Sequence, residues 1–341
     1  MMFRKLLVSL FILVLVVILF LAWKVTGSNT AFKEDKYALY IKTGSSFENV
    51  MQTLRADSVI KDPGLFSFIA KKLNLPPKIK AGKYEIRKGA GIWGIVQTIR
   101  HGKQTPVNLV ITKLRTKEDF ARFAGQRLEC DSLAIITLLN NNDSLQSKGL
   151  DTSNVMTAII PNTYSFFWNT TAAALFNRLY NEEKKFWKEE RVQKARNLGL
   201  TPQQVYILAS VIEEETNKYD EMPLMASVYI NRLNKGMPLG ADPTIKFASR
   251  NFAARRVTLK MISESAESPY NTYKNKGLPP GPICTPSVKT IDATLDAAAT
   301  NYLYFCAKPD FSGYHAFAVT DTEHFRNARA YQKALNRLKI K

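Results

Sequence analysis

The sequence has few of the residues that build metal centres and disulfide frameworks, since its 341 residues include three cysteines and three histidines. Cys130, Cys284 and Cys306 are too few and odd in number for a disulfide framework, and none has a neighbouring base that would make it a nucleophile. The histidines form no His-Glu-x-x-His motif, which argues against a zinc peptidase. We therefore predict neither a metal site nor a cofactor.

Two other enzyme signatures are missing or incomplete. The Gly-x-Ser-x-Gly elbow of the α/β-hydrolases does not occur. Gly89, Gly91 and Gly94 match a Gly-x-Gly-x-x-Gly pattern, but the strand predicted after them, at residues 107–111, ends without the acidic residue that binds a ribose. We interpret these glycines as a tight turn and predict no dinucleotide site.

Acidic residues are also in short supply. The chain has 29 aspartates and glutamates against 48 lysines and arginines, which gives a formal net charge of +19. Such a charge indicates an anionic partner, which is a nucleic acid, a membrane surface or a cell-wall polymer. The N-terminal segment decides among these three.

An apolar segment at residues 6–23 contains Ser9 as its only polar residue and follows Arg4 and Lys5. It is long enough to cross a bilayer, and the preceding positive charges favour a cytoplasmic N-terminus. Because no small-x-small cleavage site follows, we predict an uncleaved single-pass anchor with residues 1–5 as a short cytoplasmic tail. The rest of the chain then lies outside the cytoplasm, where nucleic acid is not expected as a partner.

Residues 24–37 are a polar linker, and a repeated pattern follows it. A short strand, a turn of small residues and an amphipathic helix occupy residues 41–54, and the same succession recurs at residues 86–99. Because one strand and one helix cannot bury their apolar faces alone, we predict one compact α+β module over residues 38–104. Its pattern is similar to that of glycan-binding LysM domains. A connecting α+β region at residues 105–200 follows.

Residues 208–216, Leu-Ala-Ser-Val-Ile-Glu-Glu-Glu-Thr, predict an apolar helix that ends in three carboxylates. At about 100° per residue, Glu213 and Glu215 lie at opposite edges of the apolar stripe, and Glu214 points away from it into water. A carboxylate at the edge of a buried stripe is partly desolvated, which raises its pKa toward the range of a general acid. The alternative is a helix whose acidic end is simply solvated.

Loops rich in proline, glycine and polar residues follow this helix. Asp242 precedes a proline, Tyr270 to Tyr273 read Tyr-Asn-Thr-Tyr, and residues 277–286 contain four prolines and two glycines. Rigid loops of this kind are suited to orient a polar ligand against a catalytic group. The local alternatives are a turn-forming role for Asp242 and an Asx-turn at Asn271.

Several segments together resemble the YceG-like family of endolytic murein transglycosylases. They are residues 209–216, residues 226–233 (Ala-Ser-Val-Tyr-Ile-Asn-Arg-Leu), Asp242-Pro-Thr, Tyr270-Asn-Thr-Tyr, Gly277-Leu-Pro-Pro-Gly and Tyr302-Leu-Tyr-Phe. No single motif would suffice, but their combination is specific. Pro282-Ile-Cys-Thr and the stretch around His315 depart from the family pattern. The resemblance implies an α+β fold with an N-terminal transmembrane helix, the LysM-like module and a mixed α+β catalytic domain at residues 201–341.

The resemblance also implies the roles of the site residues. The second carboxylate of the family's Glu-x-Glu is the catalytic one, which corresponds to Glu215. The expected substrate-binding residues are Glu213, Asp242, Thr244, Tyr270, Asn271, Thr272, Tyr273 and Pro279. The implied enzyme needs no metal.

The implied reaction is cleavage of the MurNAc-GlcNAc bond of nascent peptidoglycan strands with formation of 1,6-anhydro-MurNAc ends. One carboxylate first protonates the leaving oxygen and then takes the proton from the sugar's own 6-hydroxyl. The implied location is the bacterial inner membrane, with the catalytic domain on the periplasmic side and peptidoglycan synthases as candidate partners. Two alternatives stay open, a membrane-tethered peptidoglycan-binding scaffold without catalytic activity and a hydrolytic muramidase.

Overall fold

The structure, a computed structural model, describes residues 2–337 and is 51% helical and 10% strand. Met1, in the predicted cytoplasmic tail, and residues 338–341, in the predicted catalytic domain, lie outside the described residues. The chain forms two compact units. Unit 1 comprises the residues up to 109 together with 127–130 and 165–171, and unit 2 comprises 110–126, 131–164 and the residues from 172 onward. The mixed α+β class is confirmed.

The elements of the first third of the chain begin with an apolar helix. They are α1 (Met2–Thr26), β1 (Lys36–Ile41), α2 (Phe47–Ala56), α3 (Pro63–Lys72), β2 (Gly82–Arg87), α4 (Ile92–His101) and β3 (Val107–Val110). The part of α1 from Phe3 to Thr26 is long and apolar enough to cross a membrane, and its apolar side chains are exposed. It includes the whole of the predicted segment 6–23.

The repeated strand-turn-helix pattern of unit 1 is confirmed. β1 and β2 pair antiparallel, with Ile41 opposite Gly82 and Tyr37 opposite Ile86. The helix after each strand is α2 or α4, and the apolar residues of both copies form a single buried core. α3 completes this core with Phe66, which is fully buried. The two copies therefore share their hydrophobic interior, as a strand and a helix of this size require.

The elements of the rest of the chain are mostly helical. They are α5 (Lys117–Gly125), α6 (Ser132–Leu139), α7 (Asn142–Gln146), β4 (Thr163–Phe166), α8 (Ala172–Phe186), α9 (Glu189–Asn197), α10 (Pro202–Glu215), α11 (Met222–Asn234), α12 (Asp242–Ala248), α13 (Leu259–Glu264), α14 (Val288–Leu295), β5 (Tyr304–Ala307), β6 (His315–Ala318) and α15 (Asp321–Arg337). β3 pairs with β4, and β5 pairs antiparallel with β6, with Phe305 opposite Phe317.

α10 is the central helix of unit 2. It begins with a capping box between Thr201 and Gln204, with Pro202 in its first turn. Every residue from Val205 to Ile212 is buried, including Ser210. The sequence predicts one apolar face, whereas the structure covers the helix on all sides, since α11, α12 and α14 all pack against it. Only its last turn emerges from the core, and that turn carries the three carboxylates.

Candidate active site

Glu215, the last residue of α10, lies partly buried at the wall of a cavity of about 560 Å³. Its Oε1 accepts a hydrogen bond of 2.6 Å from the hydroxyl of Tyr229, which is buried on the neighbouring helix α11. The other residues that line the cavity are Arg232, Met237, Pro238, Leu239, Gly240, Asp242, Tyr273, Phe305 and His324. These residues come from α11, α12, β5, α15 and the loops between them, so the folding of unit 2 as a whole forms the cavity.

The surroundings of Glu215 hold its carboxyl in a state suited to donate a proton. Burial raises its pKa from 4.5 to about 7, and the negative charges of Asp242 and Glu214 act in the same direction. The hydrogen bond from Tyr229 and the charge of Lys246 oppose this rise. A carboxyl with a pKa near 7 is substantially protonated at neutral pH, as a general acid must be. The direction is the one predicted from the position of Glu215 beside the apolar stripe.

Asp242 brings a second carboxylate to the same cavity. It is the first residue of α12, and the hydroxyl of Tyr273 donates a hydrogen bond of 2.5 Å to its Oδ1. Burial, together with this bond, raises the pKa of Tyr273, so the phenol stays protonated and remains a donor. Of the predicted site residues, the structure therefore brings Glu215, Asp242 and Tyr273 together.

Thr244 and Thr272 lie behind Asp242 and are fully buried or nearly so. The Oγ1 of Thr272 accepts a hydrogen bond of 3.0 Å from the Ala241 N–H and lies 2.8 Å from the Oγ1 of Thr244. Neither threonine is one of the described residues that line the cavity. They fasten the segment before α12 to the loop that carries Tyr273, and so fix where Asp242 points.

Three more predicted residues lie away from the cavity within the described part of unit 2. The Nδ2 of buried Asn271 donates to the Ile262 carbonyl at 2.9 Å, and its Oδ1 accepts from the Tyr273 N–H at 3.0 Å. Its contacts are thus those of the Asx-turn alternative. Tyr270 packs its ring 4.7 Å from that of Phe247, and Pro279 is buried. Substrate contacts of these residues stay a prediction.

Glu213 faces a different helix. Its Oε2 accepts hydrogen bonds from the Ser287 N–H, at 3.2 Å, and from the Thr290 hydroxyl. Ser287 is the N-cap of α14, where exposed N–H groups and the helix dipole favour a negative charge. Glu213 therefore joins the end of α10 to the start of α14, and among the described residues it does not line the cavity. A direct substrate contact of Glu213 stays a prediction.

The prediction that Glu214 points into water is wrong. Its side chain is 16% exposed, and its carboxylate lies 3.1 Å from the Nζ of Lys113 and 3.0 Å from an Nη of Arg115. Both cations belong to the loop before α5, which lies far from Glu214 in the sequence. Helical periodicity places a side chain relative to its own helix but does not tell what covers it, so this contact was not foreseeable.

Sequence reasoning missed most of the residues that line the cavity, among them Tyr229, Arg232, Phe305 and His324. Tyr229 and Arg232 lie on one face of α11 at the i, i+3 spacing, a signal that was available. Arg232 donates from Nε to the Leu303 carbonyl at 2.6 Å and from Nη1 to the Leu239 carbonyl at 2.7 Å. No local pattern marks His324, whose ring stacks on Tyr304 and whose pKa is lowered by burial and by the charge of Arg232.

The chemistry available in this cavity is acid-base chemistry by carboxyl groups. Within residues 2–337, no group of three or more His, Cys, Asp or Glu side chains is placed to hold a metal ion. The cavity instead combines a carboxyl with a raised pKa, a carboxylate held by a tyrosine and an aromatic wall at Phe305. This set is suited to protonate and cleave a bond between polar groups.

The sequence and the fold are similar to those of known proteins. The sequence profile of the YceG-like family matches residues 39–330. A relative from Bacillus subtilis named endolytic murein transglycosylase is 26% identical over 87% of this chain and 85% of that protein. A relative of the same name from Streptococcus pneumoniae is 27% identical over 84% of this chain, which spans 57% of the length of that protein.

A solved structure is also similar to this fold. It is the crystal structure of a YceG-like protein from Listeria monocytogenes, which matches with a TM-score of 0.55 and 25% identity. The match covers 86% of this chain and 99% of that one. The match therefore extends over parts of both unit 1 and unit 2.

Proposed function

Because this chain belongs to the YceG-like family, we propose that it is a lytic transglycosylase that cleaves peptidoglycan glycan strands. The observation that carries the proposal is Glu215, a carboxyl with a pKa near 7 at the wall of a cavity. Two relatives that match most of the chain bear the name endolytic murein transglycosylase. The net charge of +19 suits a polymer that carries carboxylates.

Glu215 acts first as an acid and then as a base. It donates its proton to the glycosidic oxygen that leaves the anomeric carbon of N-acetylmuramic acid, and the bond between them breaks. The resulting carboxylate takes the proton of the sugar's 6-hydroxyl, whose oxygen bonds to the anomeric carbon and closes the 1,6-anhydro ring. Proton and bond changes balance without water, so a second nucleophilic carboxylate is not needed, in contrast to ordinary glycosidases.

The neighbours of Glu215 support both steps. The hydroxyl of Tyr229 orients the carboxyl through its hydrogen bond. Positive charge develops at the anomeric carbon in the transition state of glycosidic cleavage, and a carboxylate in the same cavity stabilises it. Asp242, kept in place by Tyr273, is the residue we assign to this role.

The finer features of the proposal concern location and substrate form. α1 anchors the chain in the bacterial inner membrane, with Arg4 and Lys5 on the cytoplasmic side and the remainder in the periplasm. Residues 38–104 form a LysM-like module, residues 105–200 connect it, and residues 201–341 are the catalytic domain. Cutting is endolytic, acts on nascent strands near the membrane and ends their elongation beside peptidoglycan synthases.

Product analysis tests the reaction. The full chain in detergent is incubated with uncrosslinked glycan strands as wild type, as Glu215→Gln and as Glu264→Gln, which changes an exposed carboxylate on α13. We expect products with anhydro ends, lighter by one water than hydrolysed ends in mass spectrometry, from the wild type and Glu264→Gln only. Hydrated ends would indicate a muramidase, and binding of strands without cleavage by any of the proteins would indicate a scaffold.

A further inference from the structure

The loop between β3 and α5 is held rigidly against the end of α10. Thr285, which is fully buried, donates from its N–H to the Leu114 carbonyl at 2.8 Å and from its hydroxyl to the Thr112 carbonyl at 2.9 Å. The Leu114 N–H donates back to the Thr285 hydroxyl at 2.9 Å. The chain just before Thr285 is in turn bonded to α10, since the Ile283 N–H donates to Ser210 at 3.0 Å. Loop and helix are therefore fixed to the same segment.

This loop presents two cations to one carboxylate. Lys113 and Arg115 lie on either side of Leu114, and both contact Glu214, at 3.1 Å and 3.0 Å. The guanidinium of Arg115 also lies 5.2 Å from the ring centre of Phe252, which limits its freedom. Glu214 alone would be a mostly covered negative charge at a helix C-terminus, where the helix dipole disfavours it. The two cations remove that cost.

Each carboxylate at the end of α10 thus has its own partner. Glu213 is bonded to the start of α14, and Glu214 is bonded to the loop before α5. These two contacts fix the last turn of the helix from two sides, while Glu215 alone of the three faces the cavity. The orientation of Glu215 therefore depends on neighbours that do not touch the cavity.

We propose that Lys113 and Arg115 are positioning residues for the acid Glu215, which they aim into the cavity by holding Glu214 and cancelling its charge. This inference rests on the proposed role of Glu215 as the proton donor. It concerns a loop outside the cavity, since within residues 2–337 neither cation lines the cavity around Glu215.

The expected effect follows from the charges that act on Glu215. The charged and titratable groups around it are Glu214 on α10, Tyr229 and Arg232 on α11, Asp242 and Lys246 on α12, Tyr273 on its loop and His324 on α15. Tyr229 and Tyr273 are neutral, because burial raises the pKa of each phenol, and burial lowers the pKa of His324. Without Lys113 and Arg115, the charge of Glu214 is left uncompensated beside Glu215. A like charge favours the protonated carboxyl, so the alkaline limb of the pH–rate profile moves to higher pH.

The test compares charge-matched variants of the full chain in detergent. In Lys113→Gln/Arg115→Gln, we expect the alkaline limb to move up by about half a pH unit and kcat to fall about tenfold, with KM nearly unchanged. The control Lys184→Gln/Lys185→Gln removes the same amount of positive charge from α8, which contributes no described residue to the cavity. We expect this control to keep the wild-type position of the alkaline limb. The charge-preserving Lys113→Arg/Arg115→Lys variant also keeps the wild-type limb.

Two further arms keep the test decisive. The paired variant is Lys113→Gln/Arg115→Gln. Adding Glu214→Gln to it removes the uncompensated negative charge, so we expect the alkaline limb of the pH–rate profile to return to its wild-type position. We expect kcat to stay low, because the contact that holds the end of α10 is still missing. The carbon-13 shift of the Glu215 carboxyl, followed against pH in glutamate-labelled protein, reports the same change without requiring activity. If the paired variant does not fold, Lys113→Gln alone gives a smaller shift in the same direction.

The outcomes separate the two proposals. An inactive wild type would overturn the proposed function, while the carboxyl titration would still test the effect of the loop. An active wild type whose alkaline limb and Glu215 titration are the same in the paired variant would overturn the inference. A limb that stays displaced after Glu214→Gln is added would also overturn it, because the charge of Glu214 would then not be the cause.

Discussion

The core of unit 1 and the cavity of unit 2 are held together by different forces. In unit 1, apolar side chains from β1, β2 and three helices bury one another, with Leu39, Met51 and Phe66 fully covered. Around the cavity, polar side chains hold loops by single hydrogen bonds, as Thr272 holds Ala241 and Tyr273 holds Asp242. Apolar burial stabilises in proportion to area, whereas a single hydrogen bond contributes little to stability but fixes direction. Stability thus depends mainly on buried apolar side chains, in unit 1 and around α10 alike, whereas reactivity depends on a few polar side chains at the edge of such a core.

The largest effect is expected at Glu215, where one substitution should lower activity strongly without lowering stability. Glu215→Gln keeps the shape of the side chain but removes the proton donor, so we expect kcat to fall by about 10³-fold or more. The midpoint of thermal unfolding should not decrease, because Glu215 forms no ion pair within residues 2–337 and a partly buried carboxyl becomes a neutral amide. Activity assays and circular dichroism of the same samples check this, and a large loss of stability would contradict the comparison.

A substitution in the core of unit 1 should instead lower stability. Phe66→Ala opens a hole in a fully buried site, and we expect the free energy of unfolding of unit 1 to fall by about 3–5 kcal/mol. Phe68→Ala, on the same helix but 57% exposed, should cost much less. Chemical denaturation followed by tryptophan fluorescence measures the difference. Equal decreases in the free energy of unfolding for Phe66→Ala and Phe68→Ala would show that the shared core contributes little to stability.

A moderate effect is expected at the tyrosine that holds Asp242. Tyr273→Phe removes one hydroxyl, and we expect kcat to fall about tenfold with an unfolding midpoint close to that of the wild type. Tyr270→Phe, in the same loop, is the matched control, because Tyr270 packs on Phe247 and does not reach the cavity in the described structure. Similar rate losses in both variants would mean that the loop as a whole, and not the bond to Asp242, matters.

The smallest effect concerns the pH dependence of the reaction. The hydrogen bond from Tyr229 lowers the pKa of Glu215, so Tyr229→Phe should raise that pKa above its value of about 7. The reaction needs protonated Glu215, and the alkaline limb should therefore move to higher pH by roughly one unit. Tyr206→Phe removes a buried hydroxyl that bonds to the Ile159 carbonyl and should leave the limb unchanged. A shift to lower pH in Tyr229→Phe would reverse the assigned sign.

The repeated module was predictable because its signals are local. The alternation of strand, small-residue turn and amphipathic helix near Ile41 and Ile86 follows from a few neighbouring residues, and the succession of β1 and α2 and of β2 and α4 confirms it. The raised pKa of Glu215 was predictable for the same reason, since the main cause is burial of its carboxyl, which follows from its place beside the apolar stripe of α10.

The rest of the site was not predictable, for two physical reasons. Polar residues in turns serve equally well to bind a ligand or to bond backbone groups of the protein, and Asn271 and Thr272 do the latter. Contacts between distant segments produce no periodic pattern in the sequence. The contact of Arg115 with Glu214 and the position of His324 at the cavity were missed for this reason.

The contacts of Arg232 fix the width of the cavity. Its planar guanidinium donates to the Leu303 carbonyl, just before β5, and to the Leu239 carbonyl, in the loop before α12. Because the guanidinium is rigid, it holds these two walls of the cavity at a set distance from each other. Walls joined in this way cannot open and close independently of each other. We therefore expect Arg232 to set the spacing between the two walls, within which a bound molecule must fit.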